Sequence, residues 1–86
     1  MINNITSILQ ELINDSIVFG LGDEDVKNCK EFLEYYEYGL CFDTIITQLY
    51  ENNIKINEEF YRKVQMAGSK LKINASEYDY LKDNIL

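Results

Sequence analysis

Apolar residues recur every three or four positions along this chain, and no proline interrupts them. That spacing places the apolar side chains on one face of a helix, whereas a half-buried strand requires two-residue alternation, which no segment shows. Proline and glycine are the strongest helix breakers, and only four glycines are present. We therefore predict an all-α fold. The clearest stripe consists of Ile5, Ile8, Leu9, Leu12 and Ile13.

Capping residues divide this pattern into a compact antiparallel bundle of four to five short helices. We expect the first helix to stop around Asn14 and Asp15, because the residues that follow, 16–22, are β-branched and then glycine-broken. Val18, Phe19 and Leu21 in that connector are expected to plug the end of the core.

The second helix is expected after Gly22, and its inward positions are Val26, Cys29, Leu33 and Tyr36. Residues 36–39 break the pattern before a third helix, which Asn52 and Asn53 close, since asparagine tolerates the left-handed conformation. The inward residues of that third helix are Phe42, Ile45, Ile46 and Leu49.

Asn57 has the position of an N-cap for a fourth helix, with Glu58 and Glu59 in its first turn. Asn74-Ala75-Ser76-Glu77 then has the order of a capping box and predicts a short last helix. A chain of 86 residues is one small domain, here 1–86.

The residues needed for most enzyme chemistry are missing. The chain has no histidine, the commonest general base, and it shows neither a nucleophile beside a base nor a phosphate-binding glycine pattern. Cys29 and Cys41 lack partners at metal-ligand spacing. Both lie on apolar helix faces, which favours buried reduced thiols, although a single disulfide stays open as an alternative. We predict no catalytic activity, no cofactor and no metal.

The N-terminal residues carry no basic stretch followed by a long apolar run, so they do not resemble a secretory signal. No apolar run approaches the roughly twenty residues that cross a bilayer. We therefore expect a cytoplasmic protein.

Charge is distributed unevenly along the chain. The formal net charge is −7, with twelve acidic and three basic residues up to Glu59, and three acidic and five basic residues after it. Residues 23–43 alone carry seven acids against Lys27 and Lys30. Such a surface repels nucleic acid and anionic membranes and favours encounter with a basic partner.

The same stretch holds three of the seven tyrosines, a residue enriched in binding hot spots. On helical wheels, four residues of this stretch point outward: Glu24, Glu31, Glu34 and Tyr35. Glu37 is expected to cap the third helix. Asp43 is expected to accept hydrogen bonds from nearby backbone or tyrosine hydroxyls. The candidate partner-binding residues are Glu24, Glu31, Glu34, Tyr35, Tyr38 and Asp43.

Much of the chain from Phe19 onward resembles a family pattern. The matching residues are Phe19-Gly20-Leu21, an acidic helix start, residues 31–45 (EFLEYYEYGLCFDTI), Gln48-Leu49-Tyr50-Glu51 and Ile56-Asn57-Glu58-Glu59. This pattern is similar to the small immunity proteins of contact-dependent growth inhibition systems and of related Maf-type polymorphic toxin systems. Cys41-Phe42 departs from the family's usual alanine and smaller aliphatic residue, which implies local repacking of the core.

The resemblance implies a cytoplasmic antidote that binds a cognate toxin domain, often a nuclease such as a tRNase, and blocks its active site or substrate path. Two alternatives remain at this stage. Asp15-Ser16-Ile17 is close to the Asp-Ser-Leu signature of acyl and peptidyl carrier domains, whose serine carries phosphopantetheine. The second alternative is a helical adaptor for another basic protein.

Overall fold

The computed structural model describes residues 4–86, so the first three residues of the predicted domain lie outside the described part. It confirms the all-α prediction: four α-helices form a compact globule, and residues 4–86 contain no strand beyond an isolated bridge between Ile56 and Ile85. The helices are α1 (Ile5–Phe19), α2 (Asp23–Glu34), α3 (Tyr38–Glu51) and α4 (Glu58–Lys70), followed by the 3₁₀ segments Ala75–Glu77 and Asp79–Asn84.

Helix α1 lies at the centre of the fold and packs against α2, α3 and α4. Its apolar stripe supplies Leu9, Leu12 and Ile13, whose side chains are fully buried. The predicted inward residues of α3 are likewise buried, so the three- and four-residue spacing identified both helix faces correctly.

The prediction that α1 stops near Asn14 and Asp15 is wrong, because the helix continues to Phe19. β-Branched residues cost a helix only about 0.5 kcal/mol each, which packing of the buried stripe overcomes. The helix stops instead at Gly20, where φ is 112°, a conformation that favours glycine.

This longer helix changes how its last turn packs. Val18 is 83% exposed, so it does not plug the core as expected. Phe19 is half-buried and meets the Phe60 ring edge-to-face, with centroids 5.3 Å apart, and Leu21 is buried. Two of the three predicted plug residues therefore pack against the core, and the third faces solvent.

All four helices end in the same backbone motif. In each, a residue with positive φ donates its N–H to the carbonyl three residues back, and the next residue donates to the carbonyl five back. These two backbone hydrogen bonds together define a Schellman cap. The positive-φ residues are Gly20, Tyr36, Asn53 and Lys72.

Helix α2 begins directly after Gly22 as predicted, and the predicted side-chain caps are confirmed at one site and wrong at two. Asn57 caps α4 as predicted, since its Oδ1 accepts a hydrogen bond from the Phe60 N–H at 2.8 Å. Glu37 occupies the cap position of α3 without a side-chain capping bond, so its predicted role is wrong. Asn74 makes no capping bond either, and the predicted last helix is two 3₁₀ segments.

The C-terminal residues are fastened to the loop between α3 and α4. The buried Asn84 amide donates to the carbonyls of Leu49 and Ile54, at 3.0 and 2.9 Å. The Ile56 N–H donates to the Asn84 carbonyl, and the Leu86 N–H donates to the Ile56 carbonyl. These bonds hold the last segment against the end of α3.

Both cysteines are free and fully buried, which confirms the prediction of reduced thiols. The Cys29 sulfur on α2 lies 4.0 Å from the backbone carbonyl oxygen of Cys41 on α3. Its contact with the Cys41 thiol, together with burial, raises the pKa of the Cys29 thiol. The Cys29 thiol therefore stays protonated inside the α2–α3 contact.

No helix in the described part of the chain is long and apolar enough to traverse a lipid bilayer.

Candidate protein-binding face

Four of the predicted contact residues are exposed on α2 or at its end. Glu24, Glu31 and Glu34 lie on the outer face of the helix, and Tyr35 follows it with 71% of its side chain exposed. Glu31 and Glu34 lie in the last turn of the helix, and Tyr35 is its C-cap residue. At 1.5 Å per residue, Glu24 lies about 15 Å from Glu34 along the axis.

The two candidates on α3 differ from one another. Tyr38 is half-buried, and its hydroxyl oxygen accepts a hydrogen bond from the Thr6 hydroxyl of α1 at 3.1 Å. Asp43 is exposed, and its carboxylate makes no hydrogen bond to any residue in 4–86, so the expected bonds to backbone or tyrosine hydroxyls are not formed. Tyr38 thus supports the turn, whereas Asp43 is a solvated charge one turn further along.

The structure adds a residue that sequence reasoning placed in the core. Tyr36 was predicted to face inward, but 77% of its side chain is exposed. Because α2 ends at Glu34, the helical period does not extend to Tyr36, and its φ of 62° turns the chain away from the core. Its ring meets the Tyr38 ring edge-to-face with centroids 6.4 Å apart. The pattern break at residues 36–39 was the available signal.

We call residues 31–40 the α2–α3 corner. It combines three tyrosines, three carboxylates and the half-exposed Leu40 in ten consecutive residues. Exposed tyrosines are enriched at protein interfaces, and a polar rim surrounds the apolar centre of such interfaces.

None of the seven carboxylates between Asp23 and Asp43 lies within 4.0 Å of a lysine or arginine nitrogen in the described structure. The ion pairs found in residues 4–86 lie elsewhere: Lys63 contacts both Glu11 and Asp15, and Arg62 contacts Glu58. The acidic surplus of the α2–α3 region is therefore not neutralised within the chain.

A shallow groove of about 330 Å³ runs beside the α2–α3 corner, between α1 and α2. It brings the exposed Tyr36 ring together with one carboxylate and one lysine. Its lining residues are Thr6, Gln10, Lys30, Leu33, Glu34 and Tyr36.

A second groove, of about 270 Å³, lies between the end of α1 and the start of α4. Phe19 and Phe60 supply its apolar lining, and Lys63 and Asp15 line it as well. The lysine ammonium is 2.9 Å from the Asp15 carboxylate, so these two charges are paired within the chain. Glu59 also lines the groove and has no cationic partner within 4.0 Å in the described structure.

Ser16, the residue of the carrier alternative, is fully buried in α1, and its hydroxyl has no hydrogen-bond partner in the described structure. A modifying enzyme needs an accessible hydroxyl, so this geometry does not favour the carrier alternative. No cluster of three or more histidine, cysteine or carboxylate side chains suited to a metal ion occurs among residues 4–86.

Comparison with known proteins finds no family model, no curated protein and no solved structure that matches this chain.

Proposed function

We propose that this protein is an immunity protein, which neutralises a cognate basic toxin domain of a contact-dependent growth inhibition system in the cytoplasm. The toxin is a nuclease, for example a tRNase, and the immunity protein acts by tight stoichiometric binding without catalysis or cofactor. The resemblance of residues 19–59 to that family supports the proposal, as does the exposed acidic and aromatic surface of the α2–α3 corner.

The observation that carries the proposal is the set of unpaired carboxylates between Asp23 and Asp43. A carboxylate with no partner in its own chain is free to pair with a lysine or arginine of another protein. Opposite charge accelerates encounter and discriminates between partners, with steering effects of roughly 10- to 1,000-fold on association rate.

The same charges explain how inhibition works. A nuclease binds its substrate through cationic side chains that contact phosphates. An acidic protein placed over those side chains competes with the polyanionic substrate, whether it covers the active site or the path that leads to it. Tyr35 adds apolar contact area to the charged surface.

The test uses the toxin domain encoded by the reading frame next to this protein's own gene. We expect cells that produce this protein to survive expression of that domain, and the two purified proteins to form a stoichiometric complex. Replacing Glu31 and Glu34 with lysine should slow association at low salt about tenfold or more and leave helicity unchanged by circular dichroism.

A matched control changes the net charge equally at a distance from the corner. Glu51 ends α3 and Glu77 lies in the first 3₁₀ segment; both are exposed, and their replacement by lysine should have a much smaller effect on association. Death of protected cells at the unprotected rate would contradict the proposed function. Equal slowing by both double variants would show a general charge effect and remove the α2–α3 corner from the interface.

The adaptor alternative predicts binding to a basic protein without protection from any toxin. Survival of challenged cells therefore separates it from immunity. No observation in the structure favours it over the immunity function.

A further inference from the structure

The end of α2 differs from the other three helix ends, although all four share one backbone motif. The positive-φ position holds Gly20 and Asn53 at the ends of α1 and α3, and glycine and asparagine are the residues that tolerate this conformation. Tyr36 and Lys72 occupy it after α2 and α4. A β-carbon makes left-handed backbone unfavourable, and a bulky aromatic residue there is uncommon.

The residue that follows the positive-φ position distinguishes the end of α2 from the end of α4. A Schellman cap is frequently completed by an apolar residue that packs back onto the helix. Three of the four helices have one in this position, namely Leu21, Ile54 and Ile73, all of them buried or half-buried. After α2 the residue is the exposed Glu37. The cap of α2 is therefore unfavourable for stability at both positions, and both side chains face outward.

One aromatic contact orients the exposed Tyr36 side chain. Its ring rests against the Tyr38 ring, and the Tyr38 hydroxyl is held by Thr6 of α1. An aromatic side chain positioned in advance loses little conformational freedom on binding. Backbone conformations that cost stability cluster at functional sites.

We propose that Tyr36 is the anchor residue of the interface, an inference that rests on the proposed function. Its ring and the Glu34 carboxylate receive an arginine side chain of the basic partner in the groove beside the α2–α3 corner. A guanidinium stacks on an aromatic face and pairs with a carboxylate at the same time. Lys30 also lines the groove. Its positive charge repels the guanidinium, which therefore lies at the Tyr36 end.

Glycine substitutions at two helix ends form a matched pair for the test. Tyr36→Gly and Lys72→Gly make the same backbone change in the same motif, and only the first removes a ring from the corner. We expect each to raise the thermal midpoint by about 4 °C, because glycine adopts the left-handed conformation without strain. Tyr36→Gly should weaken binding of the neighbouring toxin domain about 30-fold or more, and Lys72→Gly should leave affinity unchanged.

Two further variants define the contact chemistry. Tyr36→Phe keeps the aromatic face, so we expect affinity within about threefold of the natural protein. Tyr36→Leu keeps apolar volume without a π-face and should lose about tenfold, because the cation–π attraction is absent.

The outcomes separate the anchor from the proposed function. If the natural protein binds and protects while Tyr36→Gly binds equally well, the anchor is wrong and the proposed function stands. If Tyr36→Gly lowers the thermal midpoint, the ring serves folding and the anchor is wrong. Equal affinity of Tyr36→Leu and Tyr36→Phe would overturn arginine stacking. If the natural protein neither binds nor protects, the proposed function fails and the anchor fails with it.

Discussion

The molecule has two regions that treat charge in opposite ways. On the α1–α4 side, Lys63 of α4 reaches across to α1, with its ammonium 2.9 Å from Asp15 and 3.3 Å from Glu11. At the α2–α3 corner, Glu31, Glu34 and Glu37 have no cationic partner within 4.0 Å in the described structure. One region uses its charges to join helices, and the other leaves its charges outward.

This difference indicates which carboxylates stabilise the fold and which remain available to pair with another molecule. Acidic side chains are frequent on both sides, so composition alone does not distinguish them. What distinguishes them is that Glu11 and Asp15 share a cationic partner within the chain, whereas the carboxylates of the α2–α3 corner have none in the described structure. The corner also exposes Tyr35 and Tyr36, while the aromatic rings of the α1–α4 side, Phe19 and Phe60, pack on each other.

The largest expected effect concerns buried polar groups that are satisfied within the chain at the end of α3, away from both the α1–α4 ion pairs and the α2–α3 corner. Asn84→Ala should lower the free energy of unfolding by about 2 kcal/mol, because the carbonyls of Leu49 and Ile54 lose a buried donor. Chemical denaturation followed by circular dichroism measures this. Asn52→Ala is the control, since its exposed amide donates to the Gln48 carbonyl at 2.8 Å and should contribute about 0.5 kcal/mol or less. Equal losses of unfolding free energy in the two variants would contradict the contrast between a buried and an exposed amide donor.

An intermediate effect is expected at the lysine that joins α1 and α4. Lys63→Met should lower the free energy of unfolding by about 1 kcal/mol, since Asp15 and Glu11 are left close together without a cation. Lys55→Met is the control, because Lys55 is exposed and has no ion pair in the described structure.

The pH dependence of stability sharpens this second test. The hydrogen bond to Asp15, followed by that to Glu11, raises the pKa of Lys63 above its ordinary value of 10.5. A raised pKa in the folded state means that the contribution is fully present below the unfolded pKa and is lost as pH rises through the folded one. Stability should therefore fall above pH 10.5 in the natural protein and less steeply in Lys63→Met. If the natural protein and Lys63→Met lost the same unfolding free energy above pH 10.5, this pH dependence would not arise from Lys63.

The smallest effect is expected at the α2–α3 corner. Glu31→Gln combined with Glu34→Gln should raise the free energy of unfolding by about 0.5 kcal/mol, because like charges one turn apart repel and both lie near the negative end of α2. Urea denaturation at low and high salt measures the change and its screening. A loss of more than about 1 kcal/mol would show that these carboxylates support the fold.

The sequence predicted helix faces better than helix ends. Spacing identified the buried residues of α1 and α3 because packing of an apolar stripe dominates helix stability. The end of α1 was misplaced because β-branched Ile17 and Val18 read as a breaker, whereas the helix stops only where Gly20 turns left-handed. The side-chain pattern predicts a helix end poorly when backbone hydrogen bonds alone close that end.

The candidate site was predicted in part for the same reason. Glu31, Glu34 and Tyr35 follow the period of α2 and are exposed as expected. Tyr36 lies two residues beyond the end of α2, so the helical wheel predicts it inward, whereas the left-handed cap turns it outward. Groove geometry and the absence of ion partners come from tertiary packing, which no local pattern specifies.

The two inaccessible thiols give the molecule a reporter of its own motions. Cys29 and Cys41 are sealed between α2 and α3, so a thiol reagent reacts with them only when those helices separate. The rate of labelling in the natural protein therefore counts opening events at this contact without any introduced probe. A ligand that bridges both helices at their junction would slow that reaction, whereas one bound elsewhere would leave it unaltered.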